Sequence, residues 1–309
     1  FKLNSVNYES SYSIESRPIS ILFNKNKKTL YVANFNNSIN NYSAKIQTFS
    51  ENGSLVKTVV DFDTFLLGRY FRYSPIDITF DNDFNLYVLV QPLIEQTDET
   101  WITPTGFSIL KFDSVDNFKQ ELDFSEIDGE SRPSSISYFD NKLYTCNSKI
   151  IKQIDIETLQ IKNITIPVND DESKTWTHLH TSDMDINSKG IIYLTGQAAI
   201  NADSVGCHIS RYNLESDELV IDYSNGWTWM CCARFNNPGI CISDNGFLYL
   251  ASYYKMSLEI YNDKNEFIIE NDTRTAQFED TRPIDIEYFN GRIYIADESN
   301  NQIHIFKQD

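Results

Sequence analysis

One pattern of apolar and polar residues recurs six times along the chain. Each copy has a strand of alternating apolar residues, a polar turn, and a second strand in which a tyrosine stands between apolar residues. A period of two predicts β-strands, and the short polar turns predict antiparallel hairpins. The copies are RPISILFNKNKKTLYVAN from Arg17, SPIDITFDNDFNLYVLV from Ser74, RPSSISYFDNKLYTCN from Arg132, SDMDINSKGIIYLTG from Ser182, NPGICISDNGFLYLAS from Asn237 and RPIDIEYFNGRIYIAD from Arg282. Their tyrosines are Tyr31, Tyr87, Tyr144, Tyr193, Tyr249 and Tyr294.

Each hairpin is followed by two further alternating segments, such as KIQTFSENGSLVKTVV after the first. Four antiparallel strands per repeat make one blade of a β-propeller. The blades are predicted to begin near 18, 75, 133, 183, 238 and 283, within a single domain that spans 1–309. The last copy leaves room for only three strands. Residues 1–17 are therefore predicted to complete blade 6 and close the ring.

The repeat resembles that of the NHL family of six-bladed β-propellers, which runs roughly P-x-G-I-A-V-D, a turn, Y-V-A-D and then N-R-I. The match is closest in residues 282–306 and 29–37, and it is loosest in the fourth unit, where Asp183 stands in place of proline. The resemblance implies an all-β fold with the first strand of each repeat innermost. It implies no particular function, because one fold hosts many functions.

With the first strands innermost, the segments before them and after the second strands emerge together around the channel, on what we call the top face. Loops on such a face commonly carry function. Three arginines occupy equivalent places there, namely Arg17, Arg132 and Arg282. Converging guanidinium groups suit a carboxylate or a phosphate. The alternative is that each arginine pairs with an acidic residue of its own blade, such as Glu15, Glu130 or Asp280.

Most of the cysteine, histidine and tryptophan residues lie between Trp176 and Cys241. If the segments that precede the inner strands of blades 4 and 5 are both extended, alternation places one set of side chains on one side of each segment. These sets are Trp176, His178 and His180, and Trp227, Trp229 and Cys231. Together with Tyr253 they could form an amphipathic pocket for a small organic ligand, a peptide or a sugar. Ordinary packing between blades explains the same residues equally well.

A metal site is a further interpretation of these residues. His178, His180, Cys207 and Cys231 are the candidate ligands for Zn²⁺ or Cu. Propellers that resemble this one include calcium-dependent lactonases and zinc-dependent amidating lyases. That resemblance makes Asn34, Asn147 and Asp297 candidate ligands for Ca²⁺ at the channel. The lactonase pattern has a glutamate two residues before the first inner-strand proline, whereas this chain has Ser16 there.

Two segments, 91–106 and 196–206, are longer than the equivalent connections in other blades and are predicted to be loops on the top face. Long loops of this kind are commonly lids or partner surfaces. The alternative is that both segments are surface loops without a function, because lengthening a loop costs little free energy.

The 309 residues include 44 acidic and 26 basic ones, for a formal net charge of −18. Such a surplus repels a phosphate backbone, so nucleic acid is not an expected partner. No apolar run reaches the length of a membrane span. The five cysteines lack the spacing of a disulfide framework. The chain begins at Phe1 rather than Met, which favours an exported or cell-surface protein over a cytoplasmic one.

These features predict a noncatalytic propeller that binds a protein, a peptide or a small organic or sugar ligand through the top face near blades 4 and 5. We expect a monomer, and we predict no cofactor. The sequence contains no nucleophile elbow, catalytic-triad spacing or glycine-rich phosphate loop, which favours binding over catalysis. The alternative is a metal-assisted hydrolase or lyase, with Ca²⁺ or Zn²⁺ at the channel mouth.

Overall fold

A computed structural model shows the chain as strands joined by turns. The structure describes residues 5–38, 41–65, 71–95, 101–102, 106–124, 133–147, 150–165, 177–201, 204–222, 239–252, 257–262, 267–272 and 281–308. None of these residues belongs to a helix that could cross a membrane.

The strands alternate with short turns throughout the described chain. The first thirteen are β1 (Val6–Ser13), β2 (Pro18–Asn24), β3 (Thr29–Ser38), β4 (Asn41–Ser50), β5 (Leu55–Asp61), β6 (Phe71–Phe80), β7 (Leu86–Glu95), β8 (Trp101–Ile102), β9 (Ser108–Phe112), β10 (Phe118–Asp123), β11 (Ser135–Phe139), β12 (Lys142–Asn147) and β13 (Ile150–Asp155). The others are β14 (Ile161–Thr165), β15 (Thr177–Ile186), β16 (Ile191–Asn201), β17 (Ser204–Asn213), β18 (Glu218–Asp222), β19 (Gly239–Ile242), β20 (Leu248–Ser252), β21 (Ser257–Tyr261), β22 (Phe267–Asp272), β23 (Pro283–Phe289), β24 (Arg292–Asp297) and β25 (Gln302–Gln308).

The strands form six antiparallel sheets, and each sheet is one blade. Blade 1 is β2-β3-β4-β5, blade 3 is β11 to β14, blade 4 is β15 to β18 and blade 5 is β19 to β22. Blade 2 is β6-β7-β9-β10 with β8 added beside β7, and blade 6 is β23-β24-β25-β1. The first strands of neighbouring blades contact one another all the way round, from β2 on β6 to β23 on β2. The protein is therefore a six-bladed β-propeller with its first strands innermost, as predicted.

The ring closes through the N-terminal strand, as the strand count predicted. β1 pairs antiparallel with β25, so the last blade contains both ends of the described chain. The guanidinium of Arg292 contacts both carboxylate oxygens of Glu9 on β1 at 2.8 Å, and it reaches Glu51 of blade 1 at 3.3 Å. The ring of Tyr12 lies 5.6 Å from that of Phe49 in blade 1. These contacts join blade 6 to blade 1 along the outer side of the ring.

The hydrophobic core is divided among the joints between blades. Six buried clusters each take residues from two neighbouring blades. The repeat tyrosines are all buried within these clusters, namely Tyr31, Tyr87, Tyr144, Tyr193, Tyr249 and Tyr294. Tyr31 shows how a hydroxyl can join two blades, because it donates a 2.7 Å hydrogen bond to Asp116 of blade 2. The recurring tyrosine is thus a packing element of the joints.

In the described parts of the two segments that were predicted to be loops, nearly all residues form strands, so that prediction was wrong there. Residues 91–95 complete β7, and Trp101–Ile102 pairs back on it as β8. Residues 196–201 complete β16, and the chain returns in β17 from Ser204. Long partner strands explain the difference, because β6 and β15 also extend upward and supply the pairing that continues these strands.

Candidate functional site

The innermost strands bring six residues of one register around the channel axis, and we call this set the axial ring. Each lies opposite the equivalent residue of the second strand in its blade. In blade order they are Ser20, Asp77, Ser135, Asp183, Gly239 and Asp285. Acidic residues therefore occupy blades 2, 4 and 6, and small residues occupy blades 1, 3 and 5. The register also corrects the sequence alignment, because Asp183 is equivalent to Asp77 and not to the proline before it.

Each axial aspartate fastens its own blade to the next one. One carboxylate oxygen accepts a hydrogen bond from a backbone N–H of the following blade, and the other accepts one from the next residue of its own strand. The bonds between blades are Asp77 with Ile136 at 2.7 Å, Asp183 with Ile240 at 2.9 Å and Asp285 with Ile21 at 2.6 Å. The bonds within strands go to Ile78, Met184 and Ile286 at 2.7 to 2.8 Å. The ring is thus built from three blade pairs: 2 with 3, 4 with 5, and 6 with 1.

A second layer of carboxylates repeats this arrangement further down the channel in two of the three pairs. Asp185 accepts hydrogen bonds from the N–H groups of Ile186 and of Ile242 in blade 5, at 2.7 and 2.8 Å. Glu287 accepts them from its own neighbour Tyr288 and from Phe23 of blade 1. These bonds strengthen the same pairs, 4 with 5 and 6 with 1.

The joints between pairs use other contacts. The hydroxyl of Ser20 donates to Asp77 at 2.6 Å and joins blade 1 to blade 2. The hydroxyl of Ser137 donates to the carbonyl of Met184 at 2.9 Å and joins blade 3 to blade 4. Blade 5 meets blade 6 where Gly239 lies directly against the backbone of Asp285.

The channel carboxylates hold their protons unusually tightly. Burial raises the pKa of Asp183 to about 8, and the negative charge of Asp77 adds to this effect. Burial also raises the pKa of Asp285 and of Asp77, and Asp183 and Asp77 both raise that of Asp285 further. In the second layer burial raises the pKa of Asp185 to about 6. The same cause raises the pKa of Glu287 to about 8, with a further contribution from Asp185.

The predicted arginine cluster is partly described. Arg17 forms an ion pair with Glu298 of blade 6 rather than with Glu15 of its own segment, which contacts Lys45 at 3.4 Å. Burial lowers the pKa of Arg17, and the charge of Arg282 lowers it further, so these two arginines are within electrostatic reach. Arg132, together with the acidic neighbours Glu130 and Asp280, lies outside the described residues.

The three predicted calcium ligands occupy equivalent positions but differ in their surroundings. Asn34, Asn147 and Asp297 are all buried at the top of their blades. The oxygens of Asp297 accept hydrogen bonds from protein donors, namely Arg282 N at 2.9 Å, Ser299 N at 3.0 Å, Ser299 Oγ at 3.1 Å, Asn300 Nδ2 at 2.8 Å and His304 Nε2 at 3.2 Å. Burial alone would raise the pKa of Asp297, but these bonds outweigh it and hold the pKa at about 2. This carboxylate therefore stabilises the internal structure of blade 6.

Asn34 differs from Asp297 in the hydrogen bonding of its side-chain oxygen. Its amide donates to Gln47 at 2.9 Å, and its Oδ1 is buried without a hydrogen-bond partner. Within the part of the chain that the structure describes, no group of three His, Cys, Asp or Glu residues has the geometry of a metal site.

Most residues of the predicted amphipathic pocket lie outside the described residues. These are Trp176, Trp227, Trp229, Cys231 and Tyr253. His178, His180 and Cys207 lie on strands of blade 4. His180 pairs with Gln197 of the middle strand, and Gln197 pairs on its other side with Cys207. A bulge between His178 and His180 interrupts the strict alternation from which the sequence placed them on one side. The structure places His180 and Cys207 at one level of the sheet and His178 at the next pair above them.

Blades 2 and 4 rise above the ring at the top face. β6 begins four residues before Pro75, whereas β2 of blade 1 begins at the equivalent Pro18. At about 3.3 Å per residue, four residues extend a strand by about 13 Å. β15 extends upward in the same way, and β16 and β17 continue beside it, so the raised part of blade 4 is a three-stranded sheet. These two raised sheets stand on either side of blade 3, whose hairpin ends at Asn147.

No protein-family model matches the chain, and no curated protein matches it by sequence. Solved structures do resemble it. Virginiamycin B lyase from Staphylococcus aureus superposes with a TM-score of 0.59 at 11% identity, over 98% of this chain and 99% of the lyase. A protein of unknown function from Bacteroides thetaiotaomicron gives 0.62 at 14% identity, over 100% of this chain and 73% of that one.

A third similar structure is Raptor from Chaetomium thermophilum, with a TM-score of 0.56 at 10% identity. The match covers 98% of this chain but 29% of Raptor. At these identities the three comparisons support the propeller fold and do not define an activity.

Proposed function

We propose that this protein is a noncatalytic, NHL-like propeller that binds a ligand or protein partner through its top face near blades 4 and 5. The observation that carries the proposal is the raised sheet of blade 4. There β15, β16 and β17 extend above the ring, with His180 and Cys207 at one level and His178 at the next pair above them. A sheet that extends above the mouth of a channel suits recognition, and the sequence supplies it with histidines and a cysteine.

The bonding of the channel supports binding over catalysis. Each axial aspartate, Asp77, Asp183 and Asp285, directs its oxygens to backbone N–H groups of two blades. A general acid or base must instead present its proton to a substrate. The axial carboxylates are therefore assigned a role in holding the ring.

The binding test presents the purified protein to a phage-displayed library of random short peptides and to a glycan array. Trp227→Ala and Trp229→Ala variants serve for comparison, since these tryptophans belong to the part of the predicted amphipathic pocket that blade 5 supplies. We expect saturable binding that falls at least about tenfold in the variants, as for interface residues that carry much of the binding energy.

Leu55→Ala is the matched control, because it removes an exposed apolar side chain that is 49% exposed on the outer strand of blade 1. It should leave binding unchanged, and all variants should keep the melting temperature of the parent. Equal binding by parent and tryptophan variants would contradict the proposed surface.

The second candidate is a metal-assisted hydrolase or lyase with its site at the channel mouth. Two observations favour it: the likeness to a lyase, and the buried Oδ1 of Asn34, a hard oxygen of the kind that Ca²⁺ prefers. Mass spectrometry of protein purified without chelators or a histidine tag separates the candidates. Stoichiometric Ca²⁺ or Zn²⁺ supports this second function, and a metal-free protein supports the first.

A further inference from the structure

The charged groups of the channel lie where the three blade pairs meet. One axial aspartate belongs to each pair, so Asp77, Asp183 and Asp285 face one another across the joints between pairs. The hydroxyl of Ser135 donates to Asp77 at 2.7 Å and also stabilises Asp183, which puts these two carboxylates on either side of one serine. Repulsion among the ionised forms therefore acts between pairs, whereas their hydrogen bonds to the next blade act within pairs.

The joints between pairs are held by side-chain hydroxyls and close packing rather than by backbone N–H groups bound to a carboxylate. The side-chain hydroxyls of Ser20 and Ser137 make the bonds at two of them, and close packing of Gly239 makes the third. Inside each pair a backbone N–H donates to the axial carboxylate, whereas among the described residues only the hydroxyls of Ser20 and Ser135 reach these carboxylates across the joints. Repulsion among the ionised axial aspartates should therefore weaken the joints between blades 1 and 2, 3 and 4, and 5 and 6.

We propose that the channel is a proton-controlled clamp, in which ionised axial aspartates push the three blade pairs apart and proton uptake draws them together. The clamp is independent of what the top face binds. It depends only on the register that places acidic residues in blades 2, 4 and 6.

Other titratable groups modulate this clamp. Among the described residues, the groups that face the axial carboxylates or their second layer are Cys146, Cys241, Asp185, Glu287 and Lys25. Lys25 lowers the pKa of Asp185 and of Glu287 from the lower opening of the channel. Its ammonium contacts Asp244 of blade 5 at 2.8 Å, so much of its charge is already compensated.

The direction of the pH effect follows from these shifts. A carboxyl group whose pKa is higher in the folded than in the unfolded protein binds protons more tightly when folded, so stability falls as pH rises through that window. Asp183 and Glu287 place the upper limit of the window at about 8, and ordinary carboxyl groups place the lower limit near about 4. Mild acidification should therefore stabilise this protein.

The test is the melting temperature at about pH 8.5 and at about pH 6.0, repeated in about 0.5 M NaCl to screen the exposed charges. We expect the parent to melt at least about 5 °C higher at the lower pH, and this gain should persist in salt. Asp183→Asn should shrink the gain, whatever its absolute stability. Asp83→Asn is the matched control, because it removes one charge from an exposed turn and should leave the gain intact.

Carboxyl ¹³C chemical shifts of the parent labelled at aspartate give a second measurement that needs no variant. We expect at least one aspartate to titrate above about pH 6.5, in contrast with ordinary aspartates near about 3.9. The proposal is overturned if the melting temperature is flat or falls on acidification in high salt. It is also overturned if the Asp83 variant flattens the dependence as much as the Asp183 variant does, or if every aspartate titrates in the ordinary range.

Discussion

The carboxylate of Asp285 on blade 6 accepts a 2.6 Å hydrogen bond from the backbone N–H of Ile21 on blade 1. This bond joins the last blade to the first along the channel. The pairing of β1 with β25 joins the same two blades at the outer side. The ring is therefore closed twice, and the two closures depend on different parts of the chain.

Deletion of residues 1–13 tests the outer closure. It removes β1 together with Tyr8, whose ring lies 5.7 Å from that of Phe306 at 77°, and Glu9, the partner of Arg292. Loss of the partly buried rings of Tyr8 and Tyr12 and of one strand should cost about 5 kcal/mol, or about 10 °C or more in melting temperature. Deletion of residues 1–4 alone, which precede β1, should change it by less than about 2 °C. Equal effects of the two deletions would argue against closure by β1.

Gly239→Ala tests the tight joint between blades 5 and 6. A Cβ atom at this position would overlap the Cα atom of Asp285, which is backbone and cannot rotate away. Forcing a methyl group into such a contact should cost about 3 kcal/mol in the free energy of unfolding, measured by urea denaturation.

Ser135→Ala is the control for Gly239→Ala, because it leaves an alanine at the equivalent place in blade 3. This change removes the hydroxyl that donates to Asp77 and should cost about 1.5 kcal/mol, the lower end for a hydrogen bond to a charged group. If the two variants lose the same stability, the close approach of blades 5 and 6 is not the reason that glycine stands at 239.

The architecture followed from the sequence because each repeat combines alternation, a turn and a buried tyrosine such as Tyr31. Counting strands also predicted the closure by residues 1–17. The raised strands of blades 2 and 4 were missed, since Pro92 and Gly196 interrupt the pattern as they would in a loop. Pairing with a long neighbour overrides this local signal, and Pro92 lies opposite Tyr73 within the sheet.

The axial ring was missed for a different reason. Asp77 and Asp285 follow an isoleucine in alternating strands, where a polar residue usually faces solvent. Only the closure of the ring turns that polar face toward the channel and toward the backbone of the next blade. The same local sequence, I-D-I, stands at both positions and was the available signal.

Gly53→Ala tests the contact between the outer closure and blade 1. Gly53 has a φ of 83°, and a Cβ atom there would lie 2.5 Å from two ring carbons of Tyr12 on β1. The positive φ alone should cost about 1 kcal/mol, and displacement of the tyrosine should add about 1 to 3 kcal/mol.

Gly291→Ala separates these two contributions. Its φ is 77°, but an added Cβ atom would meet nothing nearer than the carbonyl oxygen of Gln308 at 3.8 Å. It should therefore show only the backbone cost. A Gly53 variant no less stable than the Gly291 variant, by urea denaturation, would show that the packing of Tyr12 contributes nothing.

Asp297→Asn tests the buried network at the top of blade 6. The substitution keeps the shape but turns one acceptor oxygen into a donor, which then faces donors such as Asn300 and His304. The expected cost at neutral pH is about 3 kcal/mol in the free energy of unfolding, because the change breaks a buried charged network.

The pH dependence of this cost identifies its origin. The pKa of Asp297 is about 2 in the folded protein, below the unfolded value near 3.9, so its contribution is complete above about pH 4 and is lost as pH falls through 2. At about pH 3 roughly half of the ionisation contribution should remain, and the gap between parent and variant should narrow accordingly. Asp113→Asn is the control, since it removes a hydrogen-bonded carboxylate from an exposed turn and should produce a smaller loss. A gap between the parent and Asp297→Asn that is equally wide at neutral pH and at about pH 3 would mean that the charge of Asp297 does not stabilise the fold.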